Sequence, residues 1–171
     1  GLTPKFEQID LKNKAKVADF FRSNNDLKGV IHFAASKAVG ESTTQPLMYY
    51  ENNINTLVYV LQEIEKLNHA NFIFSSSCTV YGQADELPIN ENVPVKRAES
   101  PYGNTKQIGE EIIQDVCRVN SNMDAIALRY FNPIGAHESA IIGELPIGVP
   151  QNLVPFITQT AYGLRDRLSV F

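Results

Sequence analysis

Apolar residues recur along this chain in two rhythms. In the first they gather in short strand-like stretches: FEQIDL at 6–11, VIHFAA at 30–35, FIFSSS at 72–77, AIALRYF at 125–131 and LSVF at 168–171. VIHFAA is apolar enough to predict a strand covered on both faces, which is the habit of parallel sheets. In the second rhythm apolar residues return every three or four positions, as they do along one side of an α-helix. KNKAKVADFFRSNN at 12–25 spaces Ala15, Ala18 and Phe21 this way, and 46–68 does so with Ile54, Leu57, Val58, Leu61, Ile64 and Leu67. Residues 101–119 repeat the pattern with Ile108, Ile112, Ile113 and Val116, behind a Ser100-Pro101 start that offers an N-cap and a proline at the first helical position. A last helix is predicted over 153–163.

The segments between these elements read as connections. A loop is predicted around Gly40, Glu41 and Ser42, and an irregular polar stretch over 82–100 holds Pro88 and Pro94. That stretch is long enough to suggest a functional loop. Strands alternating with helices predict the α/β class, a Rossmann-like doubly wound parallel sheet. The fold is expected to be incomplete. A dinucleotide fold opens with a Gly-rich turn before a helix N-terminus, and neither G-x-G-x-x-G nor G-x-x-G-x-x-G occurs in the sequence.

Composition narrows the partners. A chain of 171 residues with 43% hydrophobic content can bury one core. Its formal charge of -4, with 15 basic and 19 acidic residues spread without runs, argues against a nucleic-acid or anionic-membrane surface and for small molecules. No stretch approaches the roughly 20 apolar residues of a membrane helix. The opening GLTPKFEQIDL has no signal-peptide pattern, so a cytoplasmic location is expected. Cys78 and Cys117 are too few for a disulfide framework or a metal site, and read as reduced packing residues.

The candidate chemistry lies near the start of the third helix. Tyr102 and Lys106, four apart, share one helix face, and a lysine ammonium beside a phenol would favour the phenolate and make Tyr102 a base for a hydroxyl. A lone Tyr-x-x-x-Lys pair carries little weight. Position strengthens it, because Ser77 closes the strand FIFSSS at the carboxyl end, where open α/β sheets place their ligands. Other polar residues have plainer readings. Ser75 and Ser76 suit a turn at a strand end; His32 reads as a core histidine, His69 as surface and His137 as a loop brace. Asn52, Asn53 and Asn55 read as caps or bridges of turns around a helix start, Tyr49, Tyr50 and Tyr59 as packing or interface residues, and GEEIIQD at 109–115 as a solvated helix face.

Six segments in order, VIHFAASKAVGES, PLMYYENN, NFIFSSSCTVYG, SPYGNTK, LRYFNPIGAH and GVPQNLVPF, resemble the extended short-chain dehydrogenase/reductase family, and within it the UDP-glucose 4-epimerase branch. The resemblance implies NAD-dependent interconversion of UDP-glucose and UDP-galactose by oxidation and reduction at sugar C4. It implies that Tyr102 is the base, Lys106 holds the nicotinamide ribose and Ser77 bonds the sugar hydroxyl. It places Phe33, Ala34, Ala35, Lys37, Asn52, Ser75, Tyr130 and Phe131 near NAD, with Asp10 and Leu11 beside the adenine. It assigns Asn132, Asn152, Leu153, Ser169, Val170 and Phe171, with Ser77 and Tyr102, to the UDP-sugar.

The implied organisation is a central piece of a longer enzyme: residues 1–132 as an NAD-binding domain without its first strand-turn-helix unit, and 133–171 as the start of the UDP-sugar region. A homodimer pairing helices 46–68 and 101–119 is also implied. Family dehydratases carry an Asp or Glu just after the serine, where Cys78 and Thr79 stand here, so elimination chemistry is disfavoured; a reductase or a non-catalytic nucleotide-binding member is the alternative. With no pyrophosphate cradle, the 171-residue chain alone is expected to bind little or no NAD. An equilibrium titration that showed tight binding would overturn this.

Overall fold

The computed structural model describes residues 3–143, 148–150 and 152–168. Contacts divide the chain into two units, Gly1–Tyr130 and Phe131–Phe171. The first holds α1 (Lys14–Ser23), β1 (Gly29–His32), α2 (Val39–Thr44), α3 (Pro46–Ile64), β2 (Ala70–Ser77), a 3-10 turn (Cys78–Tyr81), α4 (Pro101–Val119) and β3 (Met123–Tyr130). The second holds α5 (Leu153–Ala161). No helix among the described residues is long and apolar enough to cross a membrane.

The three strands form a parallel sheet in the order β1-β2-β3. Gly29 pairs with Asn71 through to His32 with Phe74, and Ala70 pairs with Met123 through to Ser77 with Tyr130. Parallel neighbours need helical crossovers, and α3 and α4 supply them, as the alternation of patterns predicts. Helix starts follow local chemistry. The Asn13 side chain accepts from the Lys16 amide at 3.1 Å, and Ser100 Oγ accepts from the Gly103 amide at 3.1 Å ahead of the proline that opens α4.

One core holds these elements together. Val17 and Phe21 of α1, Leu57, Val60, Leu61 and Ile64 of α3, and Ile113 of α4 bury themselves against Ala70, Phe72 and Phe74 of β2 and Met123 of β3. Each large side chain removed from water contributes about 1.5–3 kcal/mol before the entropy of ordering is counted. Helix α4 comes unusually close at Gly109, where an added Cβ would lie 2.8 Å from Phe74 Cζ and 3.2 Å from Leu57 Cδ2.

Several expectations change. Residues 6–11 form no strand: they pair with no neighbour among the described residues, and an isolated extended segment has no ladder to hold it. Among the described residues the run VIHFAA is covered on one face. Helices α1, α3 and α4 share a core with the side of the sheet bearing Phe72 and Phe74, whereas the row Ile31, Ile73, Ile126 faces the other way, with Ile31 60% and Ile126 59% exposed. Strand β1 also stops at His32, and further on the Ser36 and Ala38 backbone bonds to Asn53 and Tyr49 of α3. The predicted loop at 40–42 is part of α2, and α3 ends at Ile64, short of residue 68. Leu168 lies outside any strand, and 169–171 lie outside the described residues.

The approach of α4 to the sheet requires a residue without a side chain. Gly109→Val is expected to destabilise the protein by about 1–3 kcal/mol, the range for overpacking. A lowered midpoint in chemical denaturation would show it, and an unchanged midpoint would mean that α4 is not held at this distance.

Candidate active site

Strand β2 ends in Ser75, Ser76 and Ser77, and helix α4 meets all three from a single stripe of residues four apart, Tyr102, Lys106 and Glu110. The Ser77 side chain is buried close enough to Tyr102 to influence its phenol, and its Oγ accepts from the Thr79 amide at 3.2 Å to start the 3-10 turn. One turn along α4, Lys106 is 4% exposed and donates from Nζ to the Ser75 carbonyl at 2.6 Å. One turn further, Glu110 Oε1 accepts from Ser76 Oγ at 2.5 Å. Arg129 of β3 closes the set, donating to Glu110 from Nε at 3.0 Å and from Nη2 at 2.7 Å.

The electrostatics differ from the expectation that lysine tunes the phenol. Burial is the main influence on Tyr102 and raises its pKa; the Ser77 hydroxyl pulls it down and the Cys78 thiol adds to the rise. The Lys106 ammonium lies 5.7 Å from the centroid of the Tyr102 ring and 4.9 Å from that of Phe74, and is committed to the Ser75 carbonyl. It does not offset the effect of burial. Desolvation also lowers the pKa of Lys106 itself, to about 8. His32, stacked on Phe74, is lowered to about 4 by burial and then by Lys106, so it is a neutral core residue at pH 7.

A second network holds the loop after β1. Asn53, buried in α3, accepts from the Ser36 amide at 2.8 Å and donates to the Ser36 carbonyl at 3.0 Å and to Thr105 Oγ1 at 3.1 Å. Thr105 in turn donates to the Tyr102 carbonyl at 2.7 Å. Asn52 donates to Ser36 Oγ at 3.2 Å, and the fully buried Tyr49 accepts from the Ala38 amide at 3.0 Å while donating to Glu41 at 2.7 Å. These bonds carry Phe33, Ala34, Ala35 and Lys37 at the carboxyl end of β1, where Phe33, Ala34 and Lys37 are exposed and Ala35 is half-buried. Phe33, Ala34 and Leu11 line one groove of about 610 Å³ with Phe6 and Ile9. Asp10, next to Leu11, is exposed and accepts from the Lys12 amide at 3.0 Å.

The structure therefore brings Ser75, Ser77, Tyr102 and Lys106 together, with Tyr130 opposite Ser77 in the strand register. Phe131, Asn132, Asn152 and Leu153 belong to the second unit and are exposed there. Ser169, Val170 and Phe171 lie outside the described residues. Glu110 departs from its expected place on a solvated face: it is 6% exposed and fully bonded, while its neighbour Glu111 is exposed. Its spacing of four from Lys106 and eight from Tyr102 is the sequence signal that marks it. Asn53 is likewise buried and, of its two expected uses, bridges the turn at Ser36 and does not cap the helix, whereas His69 is exposed and His137 braces a turn through Ser139 at 2.8 Å.

Residues 2–149 match the model of the NAD dependent epimerase/dehydratase family. Among curated relatives, the UDP-glucose 4-epimerase of Pasteurella multocida is 44% identical over 171 residues, covering 100% of this chain and 50% of the relative. UDP-glucose 4-epimerase 2 of Arabidopsis thaliana is 48% identical over 166 residues, 97% of this chain and 47% of its own length. Among solved structures, a UDP-glucose-4-epimerase from Stenotrophomonas maltophila with bound NAD and formylated UDP-arabinopyranose superimposes with a TM-score of 0.89 at 40% identity, covering 98% of this chain and 49% of that one. The Bifidobacterium longum UDP-glucose 4-epimerase in complex with NAD+ and UDP gives 0.86 at 42% identity, over 94% of this chain and 48% of that one. The chain thus spans about half the length of the relatives it matches.

The burial of Lys106 has a pH-dependent consequence. Its pKa of about 8 in the folded protein lies below the usual lysine value of 10.5, so between these values the unfolded chain binds more protons and folding stability rises with pH. Relative to Lys106→Met, the wild-type protein is expected to gain stability from pH 8 to pH 10, read by chemical denaturation across that window. Parallel curves for the two proteins would refute the buried ammonium.

Proposed function

The chain belongs to the NAD dependent epimerase/dehydratase family, and from that premise we propose that it carries the catalytic half of a UDP-glucose 4-epimerase, interconverting UDP-glucose and UDP-galactose. The observation that carries the reading is that Lys106, 5.7 Å from the Tyr102 ring centroid, bonds the Ser75 carbonyl at the carboxyl end of β2, where Ser77 closes the strand. Open α/β sheets bind ligands at that end.

The residues present suit a dinucleotide. At the carboxyl end of β1, where open α/β sheets bind their ligands, Phe33 and Ala34 are exposed and Ala35 is half-buried, and Asp10 is exposed as well. Lys106 offers a cation beside Tyr102 and uses one donor on Ser75, leaving two for a ribose. Bound NAD would supply the hydride acceptor and donor at sugar C4, together with a positive ring whose field favours the phenolate.

The chain's own groups handle position and protons. Tyr102 takes the proton of the C4 hydroxyl as the alcohol becomes a ketone and returns it when the hydride comes back to the opposite face. Ser77, at the end of β2 beside Tyr102, donates to or accepts from the same sugar oxygen and fixes its distance from Tyr102. Because burial keeps the Tyr102 proton on at neutral pH in the bare protein, base function depends on positive charge entering the site. Neither Cys78 nor Thr79 provides a carboxylic acid for elimination, which favours epimerisation over dehydration.

Tyr102→Phe in the full-length protein is expected to lower epimerisation by about a hundredfold or more while UDP-sugar still binds, the range for loss of a general base. Turnover measured by coupled assay and binding by calorimetry test it together. Unchanged turnover would refute the assignment.

A further inference from the structure

We propose that Glu110 and Arg129 form a positioning pair that holds the Ser77 hydroxyl against the Tyr102 phenol by fixing the chain on both sides of residue 77. The inference rests on the proposed function, and deepens it by naming what places the serine.

Ser77 is the last residue of β2, and its side chain accepts from the Thr79 amide. Its neighbours are held much more firmly. On one side, Ser76 donates to Glu110 Oε1 at 2.5 Å. On the other, the Tyr81 ring, 2% exposed, lies 4.8 Å from the Arg129 guanidinium carbon. The same guanidinium makes two bonds to Glu110, and Arg129 stands opposite Ser76 in the strand register. One planar cation therefore governs both approaches to Ser77 through a carboxylate and an aromatic face. A bidentate pair has little freedom to rotate, which makes it a fixed reference point.

Stability does not account for the arrangement. A buried ion pair is often no better than apolar packing of equal volume, because desolvation offsets the attraction. What it adds is defined geometry. The contacts of the pair run to Ser76 and to the Tyr81 ring, so both groups act through Ser76, Ser77 and the turn at Cys78–Tyr81, as positioning residues.

Kinetics of the full-length enzyme test the inference with Ser76→Ala, Glu110→Gln and Ser77→Ala, alone and combined. Ser76→Ala leaves the ion pair intact and is expected to lower kcat about tenfold or more with KM for the UDP-sugar changed less than about twofold. In a Ser77→Ala background, Ser76→Ala, which leaves Glu110 and Arg129 paired, should lower kcat no further, since the hydroxyl it places is gone. Equal losses in both backgrounds would mean a general structural role and overturn the proposal, as would a wild-type kcat for Ser76→Ala. If Glu110→Gln does not fold, the Ser76→Ala comparison decides alone. Full activity in Ser77→Ala would instead overturn the functional reading, and with it this inference.

Discussion

The fit of α4 against the end of β2 is the constraint on which the rest of the structure depends. A helix can meet a strand end at many heights and rotations, and apolar packing alone discriminates poorly among them. Here the choice is made twice. Gly109 lets the helix backbone approach Phe74 and Leu57, and the buried Glu110 accepts from Ser76 while Arg129 of β3 holds it in place. Steric closeness sets the distance, and the charged hydrogen bonds set the register. Shifting α4 by one residue would rotate its faces by about 100°. Glu110 would then be a buried carboxylate without partners, a costly state.

With that register set, the remaining contacts follow from helical geometry. Tyr102, Lys106 and Glu110 fall one above another because the helix repeats every 3.6 residues. Their partners fall at the strand end because β2 outlasts β1 there: β1 stops at His32, opposite Phe74, and Ser75 to Ser77 pair with β3 alone. The Ser75 carbonyl takes Lys106, whose ammonium would otherwise be buried unpaired. The same enclosure shapes the acid-base character of the site, since desolvation raises Tyr102 and lowers Lys106. Without added charge the two groups are driven toward their neutral forms, a state in which the phenol keeps its proton.

The loop after β1 is placed by the same two helices. Asn53 of α3 bonds both the amide and the carbonyl of Ser36 and reaches Thr105, which in turn holds the Tyr102 carbonyl. A single buried amide thus links the proposed cofactor loop to the turn that bears the phenol. Such buried networks are demanding, because each member left unbonded would cost more than its bond contributes. The fixed loop leaves Phe33 and Ala34 open to the groove.

Periodicity alone determined that this chain is α/β, that its strands are parallel, and that helices lie near 12–25, 46–68 and 101–119. Those properties come from local patterns of apolar residues and from caps such as Ser100-Pro101. The spacing of Tyr102 and Lys106 and the place of Ser77 at a strand end were legible for the same reason, as both are matters of local geometry. Tertiary structure decided the rest. That Glu110 is buried while Glu111 is exposed, that Asn53 bridges a loop and a helix, and that Lys106 turns to Ser75 all depend on partners 17 to 52 residues away. Burial and long-range pairing are properties of the assembled layers: the same carboxylate is solvated on a free helix and desolvated against a sheet, and only the packing distinguishes them.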